Sequence, residues 1–274
     1  MIMILVTGAH GNLGSAALAA LHARGAVASG GSRTPGEGVR RLDFDDPTDL
    51  DLAGVSTLVL VSAGYAEDDR VVARHAAVLE AAVRDGVGHV VYTSLTTAGD
   101  HLGFALAHRA TERLVRGSGV PWTILRNGLY AELFGGLLMW AGDGVESAFG
   151  EGALAAVARE DLAEAAAVVA SDPAPHGGRV YDLVGTPVTA GQVAGGLGVA
   201  HRAISLGEYR RRLLETPGLL PFQPPMLASI ATGVRHGFLD GTAPDLADLL
   251  GRAPRDPLAA AVGAASVTGP GPGA

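Results

Sequence analysis

Short apolar runs alternate with helix-length amphipathic segments through the first half of the chain. Residues 2–6 (IMILV), 56–63 (STLVLVSA), 89–94 (HVVYTS) and 121–128 (PWTILRNG) read as strands, with weaker strands near Val27 and over 39–44. Between them, residues 13–24, 69–84 and 104–116 carry helical spacing, and the last two stop at "DGVG" and "GSG". Strands separated by helices of this length pair in parallel through right-handed crossovers. The unbroken apolar character of "LVLV" suits strands covered on both faces. The pattern predicts an α/β fold whose body, residues 1–128, is a doubly wound (Rossmann) parallel sheet.

Beyond residue 128 the pattern loosens. Residues 159–171 read as a helix and 178–185 as a strand, both of the earlier kind. From about residue 186 the chain shows short helices between proline and glycine breaks. The expectation is a smaller, mainly helical C-terminal substrate lobe over 129–263, interleaved with Rossmann elements at 159–185. Residues 264–274, with the stretch "SVTGPGPGA", are expected to form a disordered tail.

Composition narrows the chemistry. The chain has 274 residues, 48% of them hydrophobic, which suits one large folded domain with a smaller attachment. All 20 basic residues are arginine, so no step can use a lysine. The absence of cysteine excludes disulfides, thiolate nucleophiles and cysteine-ligated metals. A net charge of −8 argues against nucleic acid as partner, and the basic run Arg210, Arg211, Arg212 reads as the wet face of a helix. The opening "MIMILVTG" lacks a basic leader, and the apolar stretch "LFGGLLMWAG" is about half the roughly 20 residues of a membrane helix. A cytoplasmic protein with no membrane association is expected. Nine histidines show no metal-ligand spacing, so no metal site is expected, and no G-x-S-x-G elbow occurs.

The candidate site begins at "VTGAHGNLG". Gly8, Gly11 and Gly14 follow a strand and open a helix. That arrangement lets backbone approach a pyrophosphate while helix N–H groups point at the anion. The end of the second strand, "SGGSRTPGEG", has no acid before Glu37 to hold ribose hydroxyls. Arg33, with Ser32 beside it, suits a 2′-phosphate instead. NADPH is the expected cofactor, with NADH left open.

At this point the chain resembles the NmrA-like branch of the atypical short-chain dehydrogenase/reductases, and within it the NAD(P)H:quinone oxidoreductase type. The carrying stretches are "TGAHGNLG", "YTSL" (92–95), "HRATERLV" (108–115), "TILRNGLYAE" (123–132), "AREDLAEAAA" (158–167), "GRVYDLVG" (178–185) and "GFLDGTAPDLADLLGRAP". The resemblance extends to about residue 263 and is poor over 190–230. It implies that Thr7, Gly8, His10, Gly11, Asn12 and Leu13 bind the cofactor phosphates. It places Arg33 at the 2′-phosphate, Asp43 with Phe44 at the adenine, and Val61, Ser62 and Ala63 under the ribose. Substrate would lie between the nicotinamide and "NGLYAELF". From the residues alone, Asp43 is equally a member of a solvated acidic turn, and Phe44 a core residue.

Many short-chain reductases place a tyrosine and a lysine four apart on the helix after the fifth strand. With the register anchored on Glu112, those positions hold Phe104 and His108. Phe104 cannot donate a proton; His108 can, or it is a helix-surface histidine. Ser94 ends a strand where the superfamily has a hydroxyl, and would polarise a carbonyl or satisfy nearby backbone. Tyr130 and Asn127 are the candidates for hydrogen bonds to an acceptor oxygen. Trp122, Phe134, Met139 and Trp140 are candidates to line a flat apolar pocket, and Arg159 is read as capping a helix within an ion pair.

Hydride addition to a simple ketone builds an alkoxide near water's pKa of roughly 15.7, which needs a placed acid. Addition to a quinone builds a phenolate, near tyrosine's pKa of about 10, which can collect its proton from solvent. The expected function is therefore an NADPH-dependent oxidoreductase acting on a quinone or related conjugated carbonyl, a small aromatic substrate, without a Tyr/Lys pair. Two alternatives stand beside it. One is a non-catalytic nucleotide sensor acting through a protein partner; the other is a reductase tailoring a polycyclic aromatic natural product. A homodimer is left open.

Overall fold

The computed structural model describes residues 3–63 and 66–268. In chain order its elements begin with β1 (Ile4–Thr7), α1 (Asn12–Ala23), β2 (Ala28–Ser32), β3 (Val39–Arg41), β4 (Thr57–Val61), α2 (Asp68–Arg84), β5 (His89–Leu95), α3 (Ala105–Gly117) and β6 (Trp122–Asn127). There follow α4 (Ala131–Gly136), β7 (Met139–Ala141), β8 (Gly144–Ser147), β9 (Ala153–Ala156), α5 (Arg159–Ser171), β10 (Val180–Leu183), β11 (Thr186–Thr189) and α6 (Ala190–Leu197). The chain continues through β12 (His201–Ala203), α7 (Leu206–Glu215), α8 (Gln223–Arg235), α9 (Asp245–Leu250) and α10 (Pro257–Val267).

Seven strands form the central sheet in the order β10-β6-β5-β4-β1-β2-β3, every pair parallel. The central strands β1 and β4 are apolar on both faces because both are covered. Ile4 and Val6 pack with α1 and α5, whereas Leu5, Leu58 and Leu60 pack with α2. Strand β1 pairs with β2 on one side and β4 on the other, so the order reverses there. In an open α/β sheet such a reversal leaves a crevice at the carboxyl ends of the strands. Helix α5 and strand β10 belong to this body, joining it from the second half of the chain.

Helix α9 packs on α5 and β10 of the body, and the remaining elements form the lobe around a separate core, where Phe134 stacks on Phe149 at 4.9 Å beside Tyr209 and Ile230. Five helices build it, but so do five short strands. β11 pairs with β9, and β12, β8 and β7 make a three-stranded sheet. The β7–β8 hairpin closes through Gly142 at φ +62°, a conformation suited to glycine.

Three expectations change. Helix α10 runs to Val267, so residues 264–267 are helical rather than tail; Ala261 and Ala265 are fully buried in the lobe core, and that burial extends the helix. Thr268 follows as a turn, and residues 269–274 of the expected tail lie outside the described residues. Arg212 leaves the wet face, with Nη1 donating to buried Glu146 at 2.7 Å, while Arg210 and Arg211 stay exposed. Trp122 begins β6, at the amino ends of the parallel strands and so opposite the crevice, under the guanidinium of Arg116.

Candidate functional site

The glycine loop turns because its glycines permit it. Gly8 has φ +63°, and Gly11 N–H donates back to Gly8 O at 2.8 Å. A Cβ at Gly14 would lie 2.2 Å from Gly8 O, so only glycine lets α1 start this close to the turn. Gly11 caps α1 without any side-chain hydrogen bond, which leaves the first N–H groups of the helix facing outward. His10, Gly11 and Asn12 are exposed; Leu13 is buried in the core, so only its backbone can face an anion. Thr7 is fully buried, and its hydroxyl accepts from Val61 N at 2.9 Å. The Thr7 side chain thus ties β1 to β4 rather than facing a phosphate.

Beside this loop lies a cleft of about 440 Å³. It brings together Gly8, His10, Gly11, Arg33, Asp43, Phe44, Ser62 and Ala63 from the sequence reading. Arg33 is exposed at its rim, next to Ser32, whose hydroxyl meets His10 Nδ1 at 3.1 Å. Asp43 Oδ1 accepts the Asp45 N–H at 3.1 Å, so it also serves its own turn. Phe44 is half-buried against the α2 side of the core while lining the cleft.

Sequence reading missed Asp45 and Arg74. Arg74 reaches from α2 and holds Asp45 through two bonds of 2.9 and 2.6 Å, with Arg70 adding a third. Hydrogen bonds from Arg74 and then Arg70 hold the Asp45 carboxyl well below the usual carboxylate range. The available signal was two arginines four apart on one helix, which share a face.

The other end of the crevice is formed where β4, β5 and β6 meet α3, α4 and α5. Two polar atoms are buried there without a partner: Asn127 Oδ1 and Arg159 Nε. Buried polar groups are rarely left unpaired, so these fit a bound polar ligand. Tyr130 precedes α4, and its backbone bridges to Val157, just before α5. That pairing brings the Arg159 guanidinium over the Tyr130 ring, 5.1 Å from its centre. Arg159 lies 3.9 Å from Glu132, whose carboxylate instead accepts the Arg159 backbone N–H at 3.1 Å. Burial pushes the Tyr130 hydroxyl upward, against the lowering effect of Arg159.

Two proposed proton-handling groups are otherwise engaged. Ser94 donates its hydroxyl hydrogen to Glu112 Oε1 at 2.7 Å, which leaves none for a substrate carbonyl. Glu112 is buried; burial pulls its pKa up, but bonds from Arg126 and Ser94 outweigh this and keep it ionised. His108 Nδ1 lies 3.1 Å from the buried Tyr92 hydroxyl, and burial lowers its pKa to about 4. It is half-buried and not a cation at neutral pH. Phe104 caps α3 and packs edge-on to His108. Ser94, His108, Asn127 and Tyr130 all lie outside the lining of the cleft. Phe134 is core, and Trp140 donates its indole N–H to Ala265 O at 3.0 Å inside the lobe; neither lines the cleft.

The NAD(P)H-binding family model matches residues 8–173, the glycine loop through α5. The chain belongs to this family, in its NmrA-like atypical short-chain dehydrogenase/reductase branch. It is 32% identical over 275 residues to Quinone oxidoreductase 2 of Escherichia coli (strain K12), covering 91% of this chain and 94% of that one. A crystal structure of the NADPH-dependent quinone oxidoreductase QOR2 of E. coli with NADPH superposes with a TM-score of 0.83 at 30% identity, covering 95% of this chain and 98% of that one. The chain is also 31% identical over 280 residues to a (4-alkanoyl-5-oxo-2,5-dihydrofuran-3-yl)methyl phosphate reductase of Streptomyces griseus, covering 92% of this chain and 94% of the relative. The protein is an NAD(P)H-dependent oxidoreductase.

Proposed function

We propose that the chain is an NADPH-dependent reductase acting on a quinone or related conjugated carbonyl, without a tyrosine–lysine pair. NADPH is the cofactor: Arg33 and Ser32 stand at the rim where a 2′-phosphate would lie, with no acid on β2 to hold free ribose hydroxyls. The outward N–H groups of α1 and the backbone of Gly8 to Leu13 would receive the diphosphate. Ser62, Ala63 and Asp43 with Phe44 would line the ribose and adenine. When bound, the nicotinamide supplies a hydride.

The observation that carries the reading is the state of the groups on α3 and β5. Phe104 has no acidic proton to give, the Ser94 hydrogen is held by Glu112, and His108 is neutral against Tyr92. A substrate reduced here must release a stable anion. A quinone does so, because its product oxygen is a phenolate with a pKa near about 10. The substrates named for the two relatives both carry a carbonyl conjugated with a carbon–carbon double bond, which spreads the new charge in the same way. Asn127 and Tyr130 would orient the acceptor oxygen, and Arg159, held over Tyr130, would favour negative charge there.

The test is NADPH oxidation followed at saturating nucleotide across benzo-, naphtho- and polycyclic quinones. A simple aliphatic ketone serves as the contrast. Turnover with quinones and none with the ketone is expected. Nucleotide binding without turnover on any conjugated acceptor would overturn the reading and favour a nucleotide sensor.

A further inference from the structure

We infer that His75 positions the nucleotide cleft, holding Ala63 in place through a one-way chain of hydrogen bonds. The inference rests on the reading that a dinucleotide fills the cleft. His75 sits on α2, is 0% exposed and is not among the residues lining the cleft. Its Nε2 lies 2.9 Å from Ala63 N, and its Nδ1 lies 2.8 Å from Thr111 Oγ1 on α3. Thr111 in turn donates to the Ala107 carbonyl at 2.8 Å.

The direction of each bond follows from the groups themselves. A backbone N–H can only donate, so Nε2 is the bare acceptor. Burial, with His108 and Arg74 nearby, lowers the His75 pKa to about 3, so the ring is neutral and carries its single proton on Nδ1. That proton goes to Thr111, whose own hydrogen is committed to Ala107. The order therefore runs from Ala63 to His75 to Thr111 to α3, with every donor matched. Ala63 leaves β4 and lines the cleft beside Ser62. Without Nε2 its N–H is orphaned in the wall, and the exit of β4 loses its tie to α2 and α3. The edge of the His75 ring also meets Tyr92, 5.6 Å between centres, so packing fixes the ring plane that the bonds require.

The experiment compares wild type, His75→Leu and His75→Gln by NADPH fluorescence titration, steady-state kinetics and amide exchange at Ala63. An unmet buried N–H predicts that His75→Leu weakens NADPH by about tenfold and speeds exchange at Ala63. The kcat at saturating NADPH should stay within about threefold, as expected when only binding is lost. Glutamine can accept from Ala63 and donate to Thr111, so His75→Gln should recover most of the affinity. Wild-type affinity in folded His75→Leu overturns the inference. So does a His75→Gln variant as weak as His75→Leu, or lost affinity with unchanged exchange at Ala63.

If His75→Leu does not fold, Thr111→Val replaces it. That variant removes the acceptor of Nδ1–H, so the imidazole ¹⁵N signature should shift toward mixed tautomers and NADPH should weaken. An unchanged signature with unchanged affinity overturns the chain. A wild-type protein that binds no NADPH overturns the nucleotide reading itself, which is a distinct outcome.

Discussion

On the proposed reading, Arg33 is the residue on which cofactor choice turns. It stands exposed at the cleft rim, while the neighbouring Arg74 is neutralised by Asp45 and has only 16% of its side chain exposed. Among the described residues, two guanidinium groups line the cleft, and Arg33 is the one without a carboxylate partner. A charge-assisted hydrogen bond contributes about 1.5–3 kcal/mol, so Arg33→Ala should weaken NADPH by roughly ten- to a hundredfold. NADH, which lacks the 2′-phosphate, should change little. Parallel titration of the two nucleotides reads this directly, and equal losses would remove Arg33 from the phosphate. Ser94 shows why a residue type leaves alternatives open at the same scale. A hydroxyl at a strand end can polarise a carbonyl or satisfy nearby groups, and its partner here, Glu112, lies eighteen positions away on the next helix.

At the scale of elements, α2 and α3 bury two neutral histidines against the sheet, and this gives the fold a pH dependence. His75 has its pKa lowered to about 3 and His108 to about 4, both by burial. The unfolded chain protonates both near the ordinary value of about 6.5, whereas the folded chain resists. Stability is therefore intact above about pH 6.5 and falls as pH drops toward 4, because the unfolded state then binds more protons. Asp45 acts in the same direction but only below its ordinary value of 3.8, so the two windows separate. Tm measured from pH 7 to 4 should decline in the wild type. Replacing His75 and His108 with glutamine should flatten that slope, and an unchanged slope would place the titration elsewhere.

The body elements were legible because sheet strands covered on both faces must be continuously apolar, as in residues 57–61, and the helices between them are long. Strand β2 gave a weak signal for a physical reason. Its "SGG" core lacks β-formers because a Cβ at Gly30 would lie 2.5 Å from Ala9 Cβ, and one at Gly31 2.3 Å from Leu42 Cδ1. The site requires glycine where strand propensity would ask for valine. The lobe strands were hidden differently. Strands of three or four residues such as β7 and β12 are too short for alternation to show. Spacing could not reveal the engagement of His108 with Tyr92 or the approach of Arg159 to Tyr130, because neither pair is set by local periodicity.

On the proposed reading, the whole molecule divides its work between a body that holds nucleotide and a lobe, with a core of its own, that supports the acceptor side. That lobe is closed by α10, the last described helix, which packs on α4 and α6. The crossing is close: a Cβ at Gly135 would sit 2.0 Å from the Ala261 carbonyl oxygen. Gly135→Ala must therefore push α10 away, at the roughly 1–3 kcal/mol typical of an overpacked core. At about 2–4 °C per kcal/mol for a domain of this size, Tm should fall by several degrees. Trp140 reports the displacement, because its indole N–H bonds Ala265 O on α10, and its emission should move to the red. No α10 or α4 residue lines the nucleotide cleft, so the Kd for NADPH should hold within about twofold. Helix α4 begins one residue after Tyr130, so the KM for a quinone should rise. A shift in NADPH affinity as large as that in quinone KM would mean that the two halves respond as one unit.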